Sequence, residues 1–205
     1  MTLIIDLQYF PTVTYYKISY KEINVVFDIY ERHQKMSFTN RCRVLGAAGF
    51  QWLTVPIVNG RDQRSLIKDI RIANDYKWQL QHWRTLTACY NRSPWFEFYK
   101  DELWSLYSRK VDFLVDWNLS CMQWVSQKLG LFTEFELLAP NQTVQEFHPY
   151  LDLRNTITPK SVESIEIQPY YQVFEDRIGF QPHASILDLL FCEGRAAKTW
   201  LEHHK

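Results

Sequence analysis

The sequence predicts a mixed α/β fold on three observations. Short runs of β-branched and aromatic residues in the first third, such as Ile23 to Tyr30, are typical of strands. Apolar residues recur at helical spacing over the middle third, from about residue 76 to 129. The last third is irregular until a final helix, which Ser185 is placed to cap. A chain of 205 residues can bury a full core, so we expect a single domain over residues 1–205.

The predicted strands of the first third include a hairpin. Arg41 to Gly46 alternates between two faces, and Phe50 to Val55 returns after the turn at Ala47-Ala48-Gly49. Residues 31–40, just before this hairpin, are polar and patternless, which predicts a loop. Strands are expected over residues 2–7, 23–30, 41–46, 50–55 and 66–72.

The middle third predicts three helices. In the first of them, Trp78, His82, Thr85 and Cys89 share one stripe and form part of an aromatic face, and Pro94 ends the helix. Irregular segments and one short strand follow, before the final helix that Gly194 interrupts. Helices are expected over residues 76–90, 101–110 and 113–129 (the last capped by Asp112), the short strand over 135–138, and loop at 151–155.

Charge and composition exclude several classes of function. Basic and acidic residues balance at 23 each with no block of like charge, which argues against a nucleic-acid binder. No apolar run reaches the length of about eighteen residues that a membrane span requires, and the first residues lack the features of a signal peptide. The four cysteines form no CxxC pair, so we expect reduced, buried thiols and a cytoplasmic protein.

One histidine lies within the aromatic face. The ordinary pKa of an imidazole suits proton transfer near neutral pH, so His82 is the predicted catalytic residue. The alternative is a core histidine, hydrogen-bonded and packed between Trp78 and Leu86. Aromatic residues make up 16% of the chain, and we predict Trp78, Trp95 and Tyr99 as walls of a substrate site, although large rings also fill cores.

The polar loop and the start of the hairpin supply predicted substrate-binding residues, namely Lys35, Asn40 and Arg41. A lysine and a planar guanidinium on such a loop suit the recognition of carboxylate or phosphate. The alternative is ordinary surface charge with exposed ion pairs.

Common catalytic and metal motifs are missing from the sequence. There is no Walker loop, G-x-G-x-x-G, G-x-S-x-G or H-E-x-x-H. His203 and His204 are adjacent and do not converge on one ion from a helix, so no metal site is predicted. The sequence identifies no cofactor and no oligomeric state.

A series of short motifs follows in a fixed order along nearly the whole chain. The motifs are Tyr9-Phe10-Pro11, Lys35, Asn40-Arg41-Cys42, Gly49, Leu53-Thr54-Val55-Pro56, Trp78, His82-Trp83, Tyr90, Ser93-Pro94-Trp95-Phe96-Glu97, Leu151-Asp152-Leu153-Arg154, Pro169 to Phe174, and Ser185 to Phe191. Their order resembles the WbqC-like family. The chain departs from the family pattern at His183-Ala184, where we expect asparagine-leucine-like residues, and at His33, where we expect an aromatic residue.

The resemblance implies a cytoplasmic protein of bacterial surface polysaccharide biosynthesis, including lipopolysaccharide O-antigen. In that setting we expect a transferase that moves an acyl or aminoacyl group to a nucleotide-linked amino sugar, a small-molecule substrate. The alternative is a non-catalytic binding or assembly partner of glycan-synthesis enzymes. An enzyme should bring His82 and Arg41 to a common pocket, whereas a scaffold should bury His82.

Overall fold

The computed structural model describes residues 1–59, 65–131 and 133–203, and it confirms the mixed α/β fold. The sequence also predicts a loop over residues 60–65, separate from the polar loop at residues 31–40, and residues 60–64 lie outside the described residues. The strands are β1 (Thr2–Ile4), β2 (Asn24–Phe27), β3 (Arg41–Gly46), β4 (Gly49–Thr54), β5 (Glu134–Leu137) and β6 (Tyr150–Asp152). The helices are α1 (Val13–Ser19), α2 (Trp78–Tyr90), α3 (Phe96–Tyr107), α4 (Leu114–Leu129), α5 (Glu175–Ile178), α6 (Ile186–Glu193) and α7 (Ala196–His203).

Four strands form a parallel sheet in the order β5-β2-β1-β6. Leu3 pairs with Val25 on one side and with Leu151 on the other. Leu3 and Ile4 are fully buried, as expected for a parallel strand that is covered on both faces. From β1 the chain proceeds to β2 on one side, and β6 adds to the other side, so the strand order reverses at β1. In open α/β sheets, ligands bind outside the carboxyl ends of the strands at such a reversal.

The predicted hairpin is confirmed as the antiparallel pair β3 and β4. Its register places Arg41 opposite Thr54 and Gly46 opposite Gly49. Gly49 has a φ of 108°, a conformation that a residue with a Cβ rarely adopts, which explains the glycine at this turn. The backbone N–H of Val55 donates to the carbonyl of Asn40 at 2.8 Å and so continues the ladder by one bond.

The helical face predicted for the middle third is buried in the main core. Helix α2 buries Trp78, His82, Leu86, Cys89 and Tyr90. Helix α4 packs its own apolar stripe, including the fully buried Trp117, in the same core, and it ends at Gly130 in the left-handed conformation. All four cysteines are free and buried, as expected. Within the described residues, no helix is both long and apolar enough to cross a membrane.

Two segments differ from the predicted elements. Residues 66–72 form a 3-10 turn at Ile67–Asp69 with isolated bridges instead of a strand, because the isoleucines insert into the core individually. Residues 151–155, expected as loop, begin within β6, which pairs with β1. A three-residue strand carries too short a pattern for prediction, and its partner lies far away in the sequence.

Two helix starts also differ. Helix α3 begins at Phe96 instead of near Asp101, because Phe96 is buried and the backbone N–H of Trp95 donates to the carbonyl of Phe191 at 3.0 Å. The cap of α4 is Phe113 instead of Asp112. Asp112 is held outside the helix, since its carbonyl accepts a hydrogen bond from the N–H of Ile72 at 2.9 Å.

Gly194 allows a close contact between the end of α6 and Trp95. It has a positive φ of 56°, and a Cβ at this position would overlap the indole ring of Trp95. We expect Gly194→Ala to lower the free energy of unfolding by about 3 kcal/mol, from strain and overpacking together. Urea denaturation measures the loss.

The matched control is Gly130→Ala, where φ is 62° and a Cβ would meet no atom within 4 Å. Only backbone strain affects this variant, so we expect its free energy of unfolding to fall by about 1 kcal/mol. Equal losses in the two variants would contradict the steric role of Gly194.

Candidate functional site

The three predicted anion-binding residues, Lys35, Asn40 and Arg41, line one open cavity of about 380 Å³. We call this cavity the basic pocket. It lies where the polar loop enters the hairpin. The other lining residues are His33, Met36, Thr54, Val55, Pro56 and Ile57.

Backbone pairing fixes the two walls of the basic pocket against each other. Arg41 lies opposite Thr54 in the hairpin register. The side-chain Nδ2 of Asn40 donates to the carbonyl of Val55 at 3.0 Å, while the N–H of Val55 donates to the carbonyl of Asn40. The amide oxygen of Asn40 is not used in either bond. The pocket is therefore built on a strand pair and not on the loop alone.

The guanidinium of Arg41 is held in place by the polar loop. Its Nε donates to the carbonyl of Ser37 at 3.2 Å, and its Nη2 donates to the carbonyl of Met36 at 2.5 Å. The guanidinium carbon lies 4.2 Å from the centroid of the Trp52 ring, which is a cation–π contact. Burial lowers the pKa of Arg41, but the group stays charged near neutral pH.

The described lining of the basic pocket carries positive charge. Lys35 is exposed and makes no ion pair within the described part of the chain. None of the described residues that line the pocket has a carboxylate. An anion placed there would meet an available ammonium and a pre-ordered guanidinium.

His33 is a pocket residue that the sequence did not single out. It is only 4% exposed, and its Nδ1 has no hydrogen-bond partner within the described residues. Burial lowers the pKa of His33, so the ring is neutral near pH 7. An unpaired nitrogen on a neutral imidazole can accept a proton or a hydrogen bond. Its position on the polar loop was the available signal.

The imidazole of His82 lies behind the wall of the basic pocket and does not line it. It is 4% exposed. Its Nε2 is 3.1 Å from the carbonyl oxygen of Thr54, which can only accept, so Nε2 carries the hydrogen. Nδ1 is 3.0 Å from the hydroxyl of Tyr9, which therefore donates to it, and the Tyr9 oxygen in turn accepts from Tyr107 at 2.5 Å.

These contacts give His82 a defined state. Both ring nitrogens are hydrogen-bonded, and burial lowers the pKa to about 4, so the ring is neutral at pH 7. His82 is connected to the basic pocket through Thr54. Its imidazole binds the carbonyl of Thr54, and Thr54 lines the pocket. The geometry resembles the core alternative more closely, and a direct catalytic role for His82 stays a prediction.

The three predicted aromatic walls lie apart from the basic pocket. Trp78 is 3% exposed and packs edge-on against His82 and Trp117. Tyr99 is buried against aromatic rings of α4 and α6, and Trp95 packs on Phe98 and Gly194. None of the three lines the basic pocket, and their role in substrate binding stays a prediction.

A second group of charged residues lies at the carboxyl edge of the parallel sheet. Arg154 binds Asp152 and Asp28 at 2.7 Å each, and it lies 3.5 Å from Glu31. Asp6 follows β1, and its carboxylate accepts a hydrogen bond from the N–H of Asn155 at 2.9 Å. Burial raises the pKa of Asp6 to about 6. The sequence pattern predicted a loop at residues 151–155 and did not predict this convergence.

The low pKa of His82 predicts a specific dependence of stability on pH. The folded pKa of about 4 lies below the ordinary value of 6.5, so folding favours the neutral ring. This stabilisation is complete above pH 6.5 and is lost as pH falls toward 4. The expected loss is about 3 kcal/mol of unfolding free energy, which urea denaturation across this range measures.

The control for this prediction is His82→Gln, which keeps a donor for Thr54 but has no titrating ring. Asp6 and Asp188, whose pKa values burial raises to about 6, act in the opposite direction and are present in both proteins. The difference between the two proteins therefore isolates His82. Identical pH dependence would contradict the assigned neutral state.

Comparisons with known proteins found a distant relative and a family model that match this chain. The uncharacterized protein Rv1507c of Mycobacterium tuberculosis is 24% identical to this chain, over 98% of this chain and 96% of its own length. No solved structure matches. The model of the WbqC-like protein family matches residues 8–148, a range that contains the basic pocket. By this match over more than half of its length, the chain belongs to the WbqC-like protein family.

Proposed function

We propose that this protein binds a nucleotide-linked amino sugar in the basic pocket and acts in the cytoplasmic biosynthesis of bacterial surface polysaccharide. The observation that carries the proposal is the lining of the pocket. Lys35, which has no ion pair among the described residues, and a pre-ordered Arg41 line an open cavity of about 380 Å³ whose described lining has no carboxylate. Phosphate groups of a nucleotide sugar are ligands of that charge.

The biological setting comes from the family. Members of the WbqC-like family are associated with the making of surface polysaccharide, including O-antigen. Sugars enter such assembly as nucleotide-linked donors, whose diphosphate carries negative charge. The pocket and the family context therefore support the same class of ligand.

The reaction we propose is the transfer of an acyl or aminoacyl group from an ester or thioester donor to the amine of the sugar. The amine nitrogen attacks the donor carbonyl carbon, a C–N bond forms, and the bond to the leaving oxygen or sulfur breaks. His33 lines the pocket and is neutral near pH 7, so it is suited to take the proton of the amine and pass it to the leaving group. His82 would act as a positioning residue through Thr54.

A non-catalytic binding partner of glycan-synthesis enzymes is the second candidate. The position of His82 favours it, because this predicted proton-transfer residue does not line the pocket and both of its ring nitrogens are hydrogen-bonded. Both candidates share the ligand-binding step. They differ in whether His33 is needed for turnover.

Lys35→Gln tests the binding step. We expect this variant to bind UDP-N-acetylglucosamine about fivefold more weakly than the wild type, because one charge-assisted contact to the diphosphate is lost. Its melting temperature should not change, since Lys35 makes no ion pair in the described structure. Isothermal titration calorimetry measures the affinity.

Lys110→Gln is the matched control, because it removes a highly exposed lysine outside the basic pocket. This control should bind the probe as the wild type does. An equal loss in both variants, or no binding by any nucleotide-linked amino sugar of a test panel, would refute the proposed ligand class.

His33→Asn separates the two candidates in cells. If the protein is a transferase, this variant should bind the nucleotide sugar but restore no surface polysaccharide in a host strain that lacks the gene. His82→Gln, which keeps the bond to Thr54, should restore part of it. Full polysaccharide with His33→Asn at normal protein level would favour the non-catalytic partner, and gel analysis of the polysaccharide gives the readout.

A further inference from the structure

A second, much smaller cavity lies beside the end of β1, on the other side of the polar loop from the basic pocket. We call it the acidic pocket. It has a volume of about 20 Å³, which is room for a single water-sized group. Its lining residues are Asp6, Gln8, Glu31, Arg32, Gln34, Ser37, Thr39, Ile67, Asn155, Ile157 and Thr158.

Gln8 gives the first indication of a ligand. Its side chain is 2% exposed, and its Nε2 donates to the carbonyl of Ile157 at 2.8 Å, which fixes the orientation of the amide. The amide oxygen, Oε1, has no hydrogen-bond partner within the described residues. A buried acceptor without a donor is costly, and Gln8 is one of the residues that line the acidic pocket. Gln8 therefore offers an acceptor that no described residue satisfies.

The charges around the acidic pocket give the second indication. Asp6 and Glu31 line it, and Asp28 and Asp152 lie close by through their shared contacts with Arg154. The guanidinium of Arg154 lies 2.7 Å from the carboxylates of Asp28 and Asp152 and 3.5 Å from that of Glu31. It forms no ion pair with Asp6, which is also a described residue. Arg32 lines the pocket and adds one further positive charge. In the described part of the chain, four carboxylates and two guanidiniums thus lie in or next to this pocket, so negative charge is in excess there.

We propose that the acidic pocket binds a primary ammonium group. An –NH₃⁺ group is close to water in size and has three hydrogen-bond donors and no acceptor. Three residues that carry acceptors, Asp6, Gln8 and Glu31, line this one small cavity, and the Oε1 of Gln8 has no donor among the described residues. A metal ion fits less well, because no three His, Cys, Asp or Glu side chains converge as metal ligands within the described ranges.

The position of the pocket in the fold supports a binding role. Asp6 and Gln8 follow β1 at the point where the strand order of the parallel sheet reverses. Open α/β sheets bind ligands at this point. The inference does not rest on the proposed function, because its acceptors line a different pocket and its ligand carries the opposite charge.

Methylammonium chloride is the probe that tests the inference, with tetramethylammonium chloride as the control cation. Tetramethylammonium carries the same charge, but it is larger and has no N–H donor. In ¹⁵N-labelled full-length protein, we expect methylammonium to shift the Gln8 side-chain amide and the backbone signals of Asp6 and Asn155 saturably. Tetramethylammonium should not shift them.

Three substitutions locate the site. Asp6→Asn and Glu31→Gln should each weaken methylammonium binding about tenfold, because each removes one charged acceptor. Asp28→Asn is the matched control, since Asp28 belongs to the same group of ion pairs but does not line the pocket, and it should change the affinity little.

Each contrary result overturns the proposal. If methylammonium causes no saturable shift of these NMR signals, the cavity holds only water. Equal shifts with tetramethylammonium, or an equal loss of affinity in Asp28→Asn, would indicate a diffuse attraction of cations. Saturable shifts of the same signals with magnesium chloride, at lower concentration than methylammonium, would make the pocket a metal site. The comparison of the two ammonium ions needs no variant, so it holds even if a substitution impairs folding.

Discussion

A hydrogen bond from His82 joins the aromatic core of this protein to its basic pocket. The Nε2–H of His82 donates to the carbonyl of Thr54, a residue of strand β4 that lines the pocket. Behind it, hydroxyl groups of Tyr107 and Tyr9 form a directed chain that ends at His82 Nδ1. Every donor in this chain has one acceptor, so the neutral ring is the state that satisfies it, and a proton added at Nδ1 would remove the acceptor for Tyr9. The hydrogen bond between His82 of α2 and Thr54 of β4 thereby fixes the position of β4 relative to α2.

The two pockets follow from this constraint and from the sheet. With β4 fixed, the hairpin register places Arg41 opposite Thr54. The polar loop that precedes β3 then lies next to the residues that follow β1. Carbonyl groups of Met36 and Ser37 hold the Arg41 guanidinium, so the loop and the cation order each other. On the opposite side of the loop, the carboxyl ends of parallel strands bring Asp6, Asp28 and Asp152 together. Opposite charges are thus separated by one segment of chain.

Sequence reasoning reached those features that depend on neighbours along the chain. The hairpin, the polar loop, and the grouping of Lys35, Asn40 and Arg41 follow from residues close together in sequence. The buried stripe of α2 was also predictable, but its period shows only that His82 faces inward. Whether a pocket or more core lies above that ring depends on Tyr9 and Thr54, which come from other elements. Strand β6 and the unpaired oxygen of Gln8 were missed because both depend on chain segments about 150 residues apart.

The polar loop has a further property, because its residues alternate between the two cavities. Residues 31, 32, 34, 37 and 39 face the acidic side, whereas residues 33, 35, 36 and 40 face the basic side. A contact or a substitution in this segment therefore acts on both cavities at once, because the same stretch of backbone lines them.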